Sequence, residues 1–291
     1  MTDSGTTDPV LVTGATGTIG GELVRALHAL EVPVRALVRD EARGRDLEAL
    51  AGVELVQGDL NEPASLAAAL SGARAVFLLP GYSDMPGVLD EARKAGVGHV
   101  VLLSGMSAAS GDTSNAITAY MMASEQAVIA SGLPHTIIRP SAFMSNALRW
   151  ADQLRAGDTV RAAFPNVATA LLHPADLAAV AAAALLDPER YAGQILMPTG
   201  PAPLLPAEQL AVLADVLDRA LRFEPLTDEQ AREQMAADGT PQKYIDAFFD
   251  FYVAGSLDES VVRPTVEQVT GRPARPFADW VAGHAGAFAK S

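Results

Sequence analysis

Gly14, Gly17 and Gly20 stand three residues apart, directly after the apolar and β-branched run Val10-Leu11-Val12-Thr13, and an amphipathic segment follows them to Glu31. A strand that turns into a helix in this way presents unpaired backbone N–H groups at the positive end of the helix dipole, where a phosphate is favoured. The three glycines answer different needs. Gly14 lets the chain turn sharply off the strand, Gly17 lets the backbone approach a pyrophosphate without a Cβ in the way, and Gly20 lets the helix sit close to the sheet. The spacing is G-x-x-G-x-x-G rather than G-x-G-x-x-G. Its place between strand and helix favours a dinucleotide cradle over an ordinary loop.

The elements that must position this turn are legible in the hydrophobic pattern. Strands are expected at Pro33 to Val38, Val53 to Gln57, Ala75 to Leu79, His99 to Leu103 and Thr136 to Ile138, and helices at Asp40 to Leu50, Glu62 to Leu70, Met85 to Ala95 and Ile117 to Ser131. The strand runs are continuously apolar rather than alternating, and they alternate with helices. That is the pattern of a parallel sheet covered on both faces, so the fold class is α/β, a Rossmann-like doubly wound parallel sheet. Ligands in such sheets sit beyond the carboxyl ends of the strands. Past Ala142 the rhythm changes: helices are expected at Met144 to Ala156, Ala175 to Leu186, 207–220, 227–237, 241–254, 258–270 and 276–288, with a strand near 193–197 that could rejoin the sheet. The expected organisation is a flexible N-terminus at 1–8, a nucleotide-binding domain at 9–143, and a smaller, mostly helical C-terminal substrate region at 144–291.

Composition narrows the partners. The 291 residues include 35 acidic against 21 basic side chains, a net charge of −14, and no cysteine. Such a field repels nucleic acid and gives no attraction to anionic lipid, and no basic stripe offsets it. Disulfides, zinc–thiolate sites and thiol catalysis are excluded together. The longest apolar stretch, Leu177 to Leu186, is too short to span a bilayer, and the N-terminal residues lack the apolar core of a signal peptide. The expected compartment is the cytoplasm. Ala-rich helices can pack within one chain or across a homodimer, and the sequence leaves both open.

The chain resembles the NmrA-like group of atypical short-chain dehydrogenase/reductases, which are NAD(P)-binding Rossmann proteins. The resemblance rests on Leu11 through Gly20, Ala36-Leu37-Val38-Arg39-Asp40, Gly58-Asp59-Leu60, Val101-Leu102-Leu103-Ser104 and Ser124-Glu125-Gln126-Ala127. It continues through Ser131-Gly132-Leu133-Pro134, Ile137-Ile138-Arg139-Pro140, Pro174-Ala175-Asp176-Leu177-Ala178 and Thr270-Gly271-Arg272-Pro273 with Phe277. It implies that Gly14, Thr16, Gly17, Thr18, Ile19 and Gly20 line the pyrophosphate and that Arg39 meets the adenosine ribose. It further implies adenine contacts from Asp59 and Leu60, a ribose floor from Leu79, Pro80 and Gly81, and a nicotinamide wall from Pro140, Ala142 and Phe143. Ser104 and Met121 complete the cofactor set. At position 39 a carboxylate would suit the ribose 2′-OH of NAD, whereas a guanidinium suits a 2′-phosphate, so NADP(H) is expected over NAD(H). Asp40 beside it is a candidate helix cap.

The resemblance breaks at the proton donor. Most short-chain reductases use Tyr-x-x-x-Lys, in which the ammonium lowers the tyrosine pKa. The three lysines here, Lys94, Lys243 and Lys290, follow Asp90, Gly239 and Gly286 at that spacing, and the family's lysine and tyrosine fall at Met121 and Ile117. Two readings remain open. The protein is either an NADPH-dependent oxidoreductase for an acceptor that needs little protein acid (quinone, enone, iminium or carbonyl), or a nucleotide-sensing regulator that binds a partner. For the enzyme, solvent, Tyr120, Ser104 or Tyr82 is the candidate proton source, and Tyr82, Met106, Phe143, Asn146 and His173 are candidate substrate contacts. The aromatic run Phe248, Phe249, Phe251 and Tyr252 suits core packing or the roof of a substrate pocket. The five histidines are dispersed without a carboxylate cluster, so no metal is expected. Asp176 is expected to cap or pack a helix, and Ser104 lacks the elbow of a hydrolase nucleophile.

Overall fold

The computed structural model describes residues 8–290, so the expectation of a flexible segment at 1–8 falls, Asp8 apart, outside the described residues. In chain order the strands are β1 (Val10–Val12), β2 (Val34–Val38), β3 (Val53–Gln57), β4 (Ala75–Leu78), β5 (His99–Leu103), β6 (His135–Ile138), β7 (Thr159–Ala162), β8 (Ile195–Leu196) and β9 (Arg222–Pro225). Seven of them form one sheet in the order β3-β2-β1-β4-β5-β6-β8. Every neighbouring pair in it is parallel. The expected doubly wound architecture is therefore present, and the strand near 193–197 does rejoin the sheet.

Residue choice explains the order of burial. The all-apolar β1 and β4, and β5 with His99 ahead of four apolar residues, are buried along their whole length, as strands covered on both faces must be, while β3 at the sheet edge is mostly half-exposed. The winding direction reverses at β1 and β4, the switch point where such sheets bind ligands. One face is closed by an aliphatic cluster including Leu11, Leu37, Leu66, Leu70, Val88 and Leu89.

The chain forms two compact units. The first comprises the described part of Met1–Ala108 with Tyr120–Arg139 and Leu177–Leu196; the second comprises Ala109–Ala119, Pro140–Asp176 and Met197–Ser291 up to residue 290. Within the second, β7 and β9 make a separate two-stranded parallel sheet. The core of this unit gathers Trp150, Leu154, Leu213, Phe277, Trp280 and Phe288, with Phe277 stacked on Trp280 at 5.9 Å between ring centroids. The Arg219 guanidinium donates to Asp158 and to the carbonyls of Leu154, Gly157 and Phe288, which satisfies the ends of a helix and a C-terminal turn together.

Several local expectations need correction. The helix expected at Asp40 to Leu50 is two short turns, Glu41–Arg43 and Arg45–Glu48, separated at Gly44, a residue of low helix propensity. The helix expected at 258–270 begins only at Thr265, after Pro264. Residues 159–162 and 222–225 are strands that short, charge-interrupted runs did not announce. Asp176 is an ion-pair residue: 5% exposed, its carboxylate accepts from the Arg275 backbone N–H and pairs with the Arg275 guanidinium. The neighbouring cap is His173, whose Nδ1 accepts from the Ala175 N–H at 3.0 Å.

A buried histidine makes stability pH-dependent. His99 is 1% exposed, its Nε2 lies 3.0 Å from Thr136 Oγ1, and its Nδ1 is buried without a partner. The Thr136 hydroxyl donates to Tyr191 O, so Nε2 carries the hydrogen. Burial, with the nearby His135 charge, holds the His99 pKa down to about 4 from the usual 6.5. Between those values the unfolded chain takes a proton that the folded one refuses. Stability is therefore full above about pH 6.5 and falls as pH drops toward 4, by ~3 kcal/mol from this group. Urea unfolding at pH 7 and pH 4.5 should show this loss, and His99→Gln should flatten it; equal slopes in the two proteins would remove His99 as the cause.

Candidate active site

In the first unit, β1 ends at Val12 and Gly14 follows with φ +61°, a left-handed conformation that disfavours any side chain. An added Cβ at Gly14 would lie 2.5 Å from Leu79 Cδ1, so the residues after β1 and β4 meet at the switch point. One at Gly20 would lie 2.2 Å from Gly14 O, which is the close seating of helix against turn. The helix Thr18–Ala29 has Gly17 as N-cap and no side-chain cap, so its first-turn N–H groups keep their hydrogen-bonding capacity for an outside acceptor. Thr13 Oγ1 is buried beside this turn with no partner. A cradle that any Cβ would fill, next to an uncapped helix start, fits a pyrophosphate.

Two cavities continue from it. One, of about 230 Å³, is bounded by Gly14, Thr16, Arg39, Asp59, Leu60 and Tyr82. The other, of about 350 Å³, is bounded by Thr16, Val38, Arg39, Asp40 and Arg43. Neither the Arg39 nor the Arg43 guanidinium pairs with a carboxylate among the described residues. The Asp40 carboxylate accepts from the Ala42 N–H at 3.0 Å and caps the turn Glu41–Arg43, as its position suggested. Two free guanidinium groups around one cavity suit a phosphate monoester. Asp59 Oδ1 accepts from the Asn61 N–H and Nδ2, which fixes the loop after β3.

A third cluster surrounds the helix Ala116–Ala130. Glu125, 4% exposed, accepts from Ser104 Oγ at 2.5 Å, from Arg139 Nε at 2.8 Å and from a second Arg139 nitrogen at 2.5 Å. Ser124 Oγ accepts from the Gly81 N–H at 3.0 Å. The Tyr120 ring stands over Gly81, and the Met121 side chain lies against Gly105.

In the second unit, a cavity of about 270 Å³ is walled by Phe164, Leu171, Met235, Phe248 and Tyr252, with Ala142, Asn146, Arg149, Thr169 and Gln209 among the remaining lining residues. The Tyr252 hydroxyl donates to Glu259 Oε2 at 2.8 Å, and Glu259 Oε1 accepts from the Ala142 N–H at 2.8 Å. Burial pushes the Glu259 pKa up, and burial with the Glu259 charge pushes the Tyr252 hydroxyl well above its ordinary range. Tyr252 therefore holds its proton tightly.

Residues 14–188 match a family model described as NAD(P)H-binding. The chain belongs to the NAD(P)H-binding family. It is an NAD(P)H-dependent oxidoreductase of the atypical short-chain dehydrogenase type, in keeping with the NmrA-like kinship of its motifs. It is 42% identical to the (4-alkanoyl-5-oxo-2,5-dihydrofuran-3-yl)methyl phosphate reductase of Streptomyces griseus, over 96% of this chain and 99% of that one. It is 39% identical to the NAD(P)H azoreductase of Xenophilus azovorans, again over 96% and 99%. Its fold superposes on triphenylmethane reductase from Citrobacter sp., solved with NADP(H), with a TM-score of 0.78, 21% identity, and coverage of 95% of this chain and 99% of that one.

Against this NAD(P)H-binding frame, the sequence-based candidates separate. Gly14, Thr16, Arg39, Asp59 and Leu60 come together around one cavity, and Tyr82 lines it with them. Burial raises the Tyr82 pKa against the pull of Arg39. The Ser104 hydroxyl donates to Glu125. The Ile19, Leu60 and Met106 side chains are buried. Asn146 and Ala142 reach the second unit's cavity. The aromatic run divides: Phe249 and Phe251 are core, while Phe248 and Tyr252 line the cavity. Arg43, Arg149 and Glu259 were missed. A second arginine four residues after Arg39 was the available signal for Arg43; nothing local marked the other two.

Proposed function

We propose that the protein is an NADPH-dependent reductase of a small acceptor whose carbon–carbon double bond is conjugated to two carbonyl groups, working without a Tyr-x-x-x-Lys pair. The observation that carries this reading is the second unit's cavity, whose one phenol is tied to a buried carboxyl and holds its proton far too tightly for general acid work. NADPH supplies a hydride when bound. An alkene flanked by two carbonyls spreads the arriving charge over its own oxygens, so the chain need only orient it, and solvent supplies the proton. The name of the Streptomyces relative describes such an alkene, set in a lactone ring and bearing an alkanoyl group. Arg39 and Arg43 would hold the 2′-phosphate, and the amides of Thr18 to Gly20 the pyrophosphate.

Absorbance assays of NADPH consumption test this. An acyl butenolide should be reduced at least ~100-fold faster than a saturated ketone of equal size, because the ketone needs the general acid the cavity lacks. Equal rates would overturn the mechanism, and tight NADPH binding without turnover of any acceptor would favour a nucleotide sensor. In the same assay Arg39→Asp should weaken NADPH by on the order of 10–100-fold, the worth of charge-assisted hydrogen bonds to a phosphate, and leave NADH nearly unchanged. Equal losses for both cofactors would sink the NADP preference.

A further inference from the structure

The second unit's cavity has one charged lining residue, Arg149; every other residue in its wall is uncharged. Arg149 closes the short 3₁₀ segment Met144–Trp150, and its guanidinium carbon sits 5.7 Å from the centroid of the buried Trp150 ring. No described carboxylate pairs with it. Glu259, the nearby acid behind the wall, directs its oxygens to the Tyr252 hydroxyl and the Ala142 N–H rather than to Arg149. The cation is therefore uncompensated, in a protein whose net charge of −14 repels anions elsewhere.

Much of the remaining lining is apolar, and one of its residues is held under strain. Phe164 has φ +55°, a left-handed conformation that costs a bulky residue about 1–3 kcal/mol. That backbone sets its ring 5.0 Å from Tyr252 and 5.2 Å from Phe249. Together with Phe248, Met235 and Leu171 it forms a surface for a hydrocarbon or aromatic body. Asn146 and Gln209 also line the cavity and add hydrogen-bonding groups.

We infer that this cavity binds an anionic amphiphile, an oxyanion such as a phosphate monoester, sulfonate or carboxylate seated on Arg149 with its apolar body against Phe164 and Phe248. The inference rests on reading the cavity as the acceptor's site and makes Arg149 a specificity-determining residue, selecting a charged acceptor over its neutral counterpart.

Calorimetry tests it without turnover, so it can fail or succeed independently of the reductase reading. The full-length protein, saturated with NADP⁺ to occupy Arg39 and Arg43, is titrated with hexyl phosphate, hexanoate, hexanol and inorganic phosphate. Hexyl phosphate should bind. Arg149→Gln should weaken it by on the order of 10–100-fold, and Arg149→Lys should retain part of the affinity. Hexanol should bind more weakly and equally to wild type and Arg149→Gln, and hexanoate should bind wild type more tightly than hexanol does and lose that advantage in Arg149→Gln. Inorganic phosphate alone should bind more weakly than hexyl phosphate, since it lacks the apolar body. Undiminished hexyl phosphate binding in Arg149→Gln, or no binding to the NADP⁺-saturated wild type, would overturn the assignment. Thermal melting of both variants within a few degrees of wild type confirms that the comparison is between folded proteins.

Discussion

Gly20→Ala should abolish useful NADPH binding while leaving the chain folded. The added Cβ would lie 2.2 Å from Gly14 O, 2.5 Å from Gly14 C and 2.9 Å from Ala15 N. All three are backbone atoms, so no side chain can swing aside; the turn itself must move. That turn is tightly specified, with the Gly17 N–H donating to Gly14 O at 2.9 Å and the Gly21 N–H to Gly17 O at 2.8 Å. Displacing it misaims the amides of Thr18 and its neighbours, each worth about 1.5–3 kcal/mol to a charged phosphate. Losing two such bonds weakens NADPH by more than ~100-fold. Overpacking adds a stability loss of about 1–3 kcal/mol, which a thermal melt would register without unfolding the protein at room temperature. Gly283→Ala is the control, since an added Cβ there meets nothing within 4 Å and lies in the helix Phe277–His284. Fluorescence titration of NADPH reads both variants; wild-type affinity in a folded Gly20→Ala protein would remove this turn from the cofactor site.

Glu125→Ala should cost about 3–5 kcal/mol, the largest stability loss expected of a single polar truncation in the first unit. The carboxylate receives two charge-assisted bonds from Arg139 and one from Ser104, and the Arg139 side chain is only 16% exposed. Truncation leaves that guanidinium nearly dry and without its counter-charge, which costs more than the pair itself was worth. The double variant Glu125→Leu with Arg139→Met should therefore recover most of the loss, because both desolvation costs vanish together. Urea midpoints of the single and double variants decide it. A loss below about 1 kcal/mol in Glu125→Ala would mean the pair behaves as a solvent-screened surface bridge.

These two cases also mark how far the sequence could be read. Gly14, Gly17 and Gly20 were legible because their requirement is local: a strand, a left-handed turn and a helix start are consecutive, and residue type reports backbone conformation directly. The order of strands and helices was legible for the same reason, since continuous apolar runs are set by burial on both faces of each strand. Glu125 and Arg139 stand in the ordered motifs as separate residues, yet nothing in the 14-residue spacing states that they pair. β7 and β9 escaped notice because their pairing partner lies across a long stretch of chain and their exposed positions carry Arg161, Arg222 and Glu224.

The sequence by itself determined the fold class and the NAD(P)H-binding family, through a strand–glycine turn–helix start, Arg39 just past the second strand, and no tyrosine four residues before any lysine. Each of these depends on residue type within a few positions. Only the tertiary structure decided that Tyr82 shares a cavity with Arg39 and Asp59, that the Ser104 hydroxyl donates to Glu125, and that Arg149 lines a cavity with Phe164, Phe248 and Tyr252. Those facts depend on which charges and rings meet across long separations. The free energy of a proton or an uncompensated cation is set by those neighbours and by the water they exclude, neither of which is written in the local order of residues.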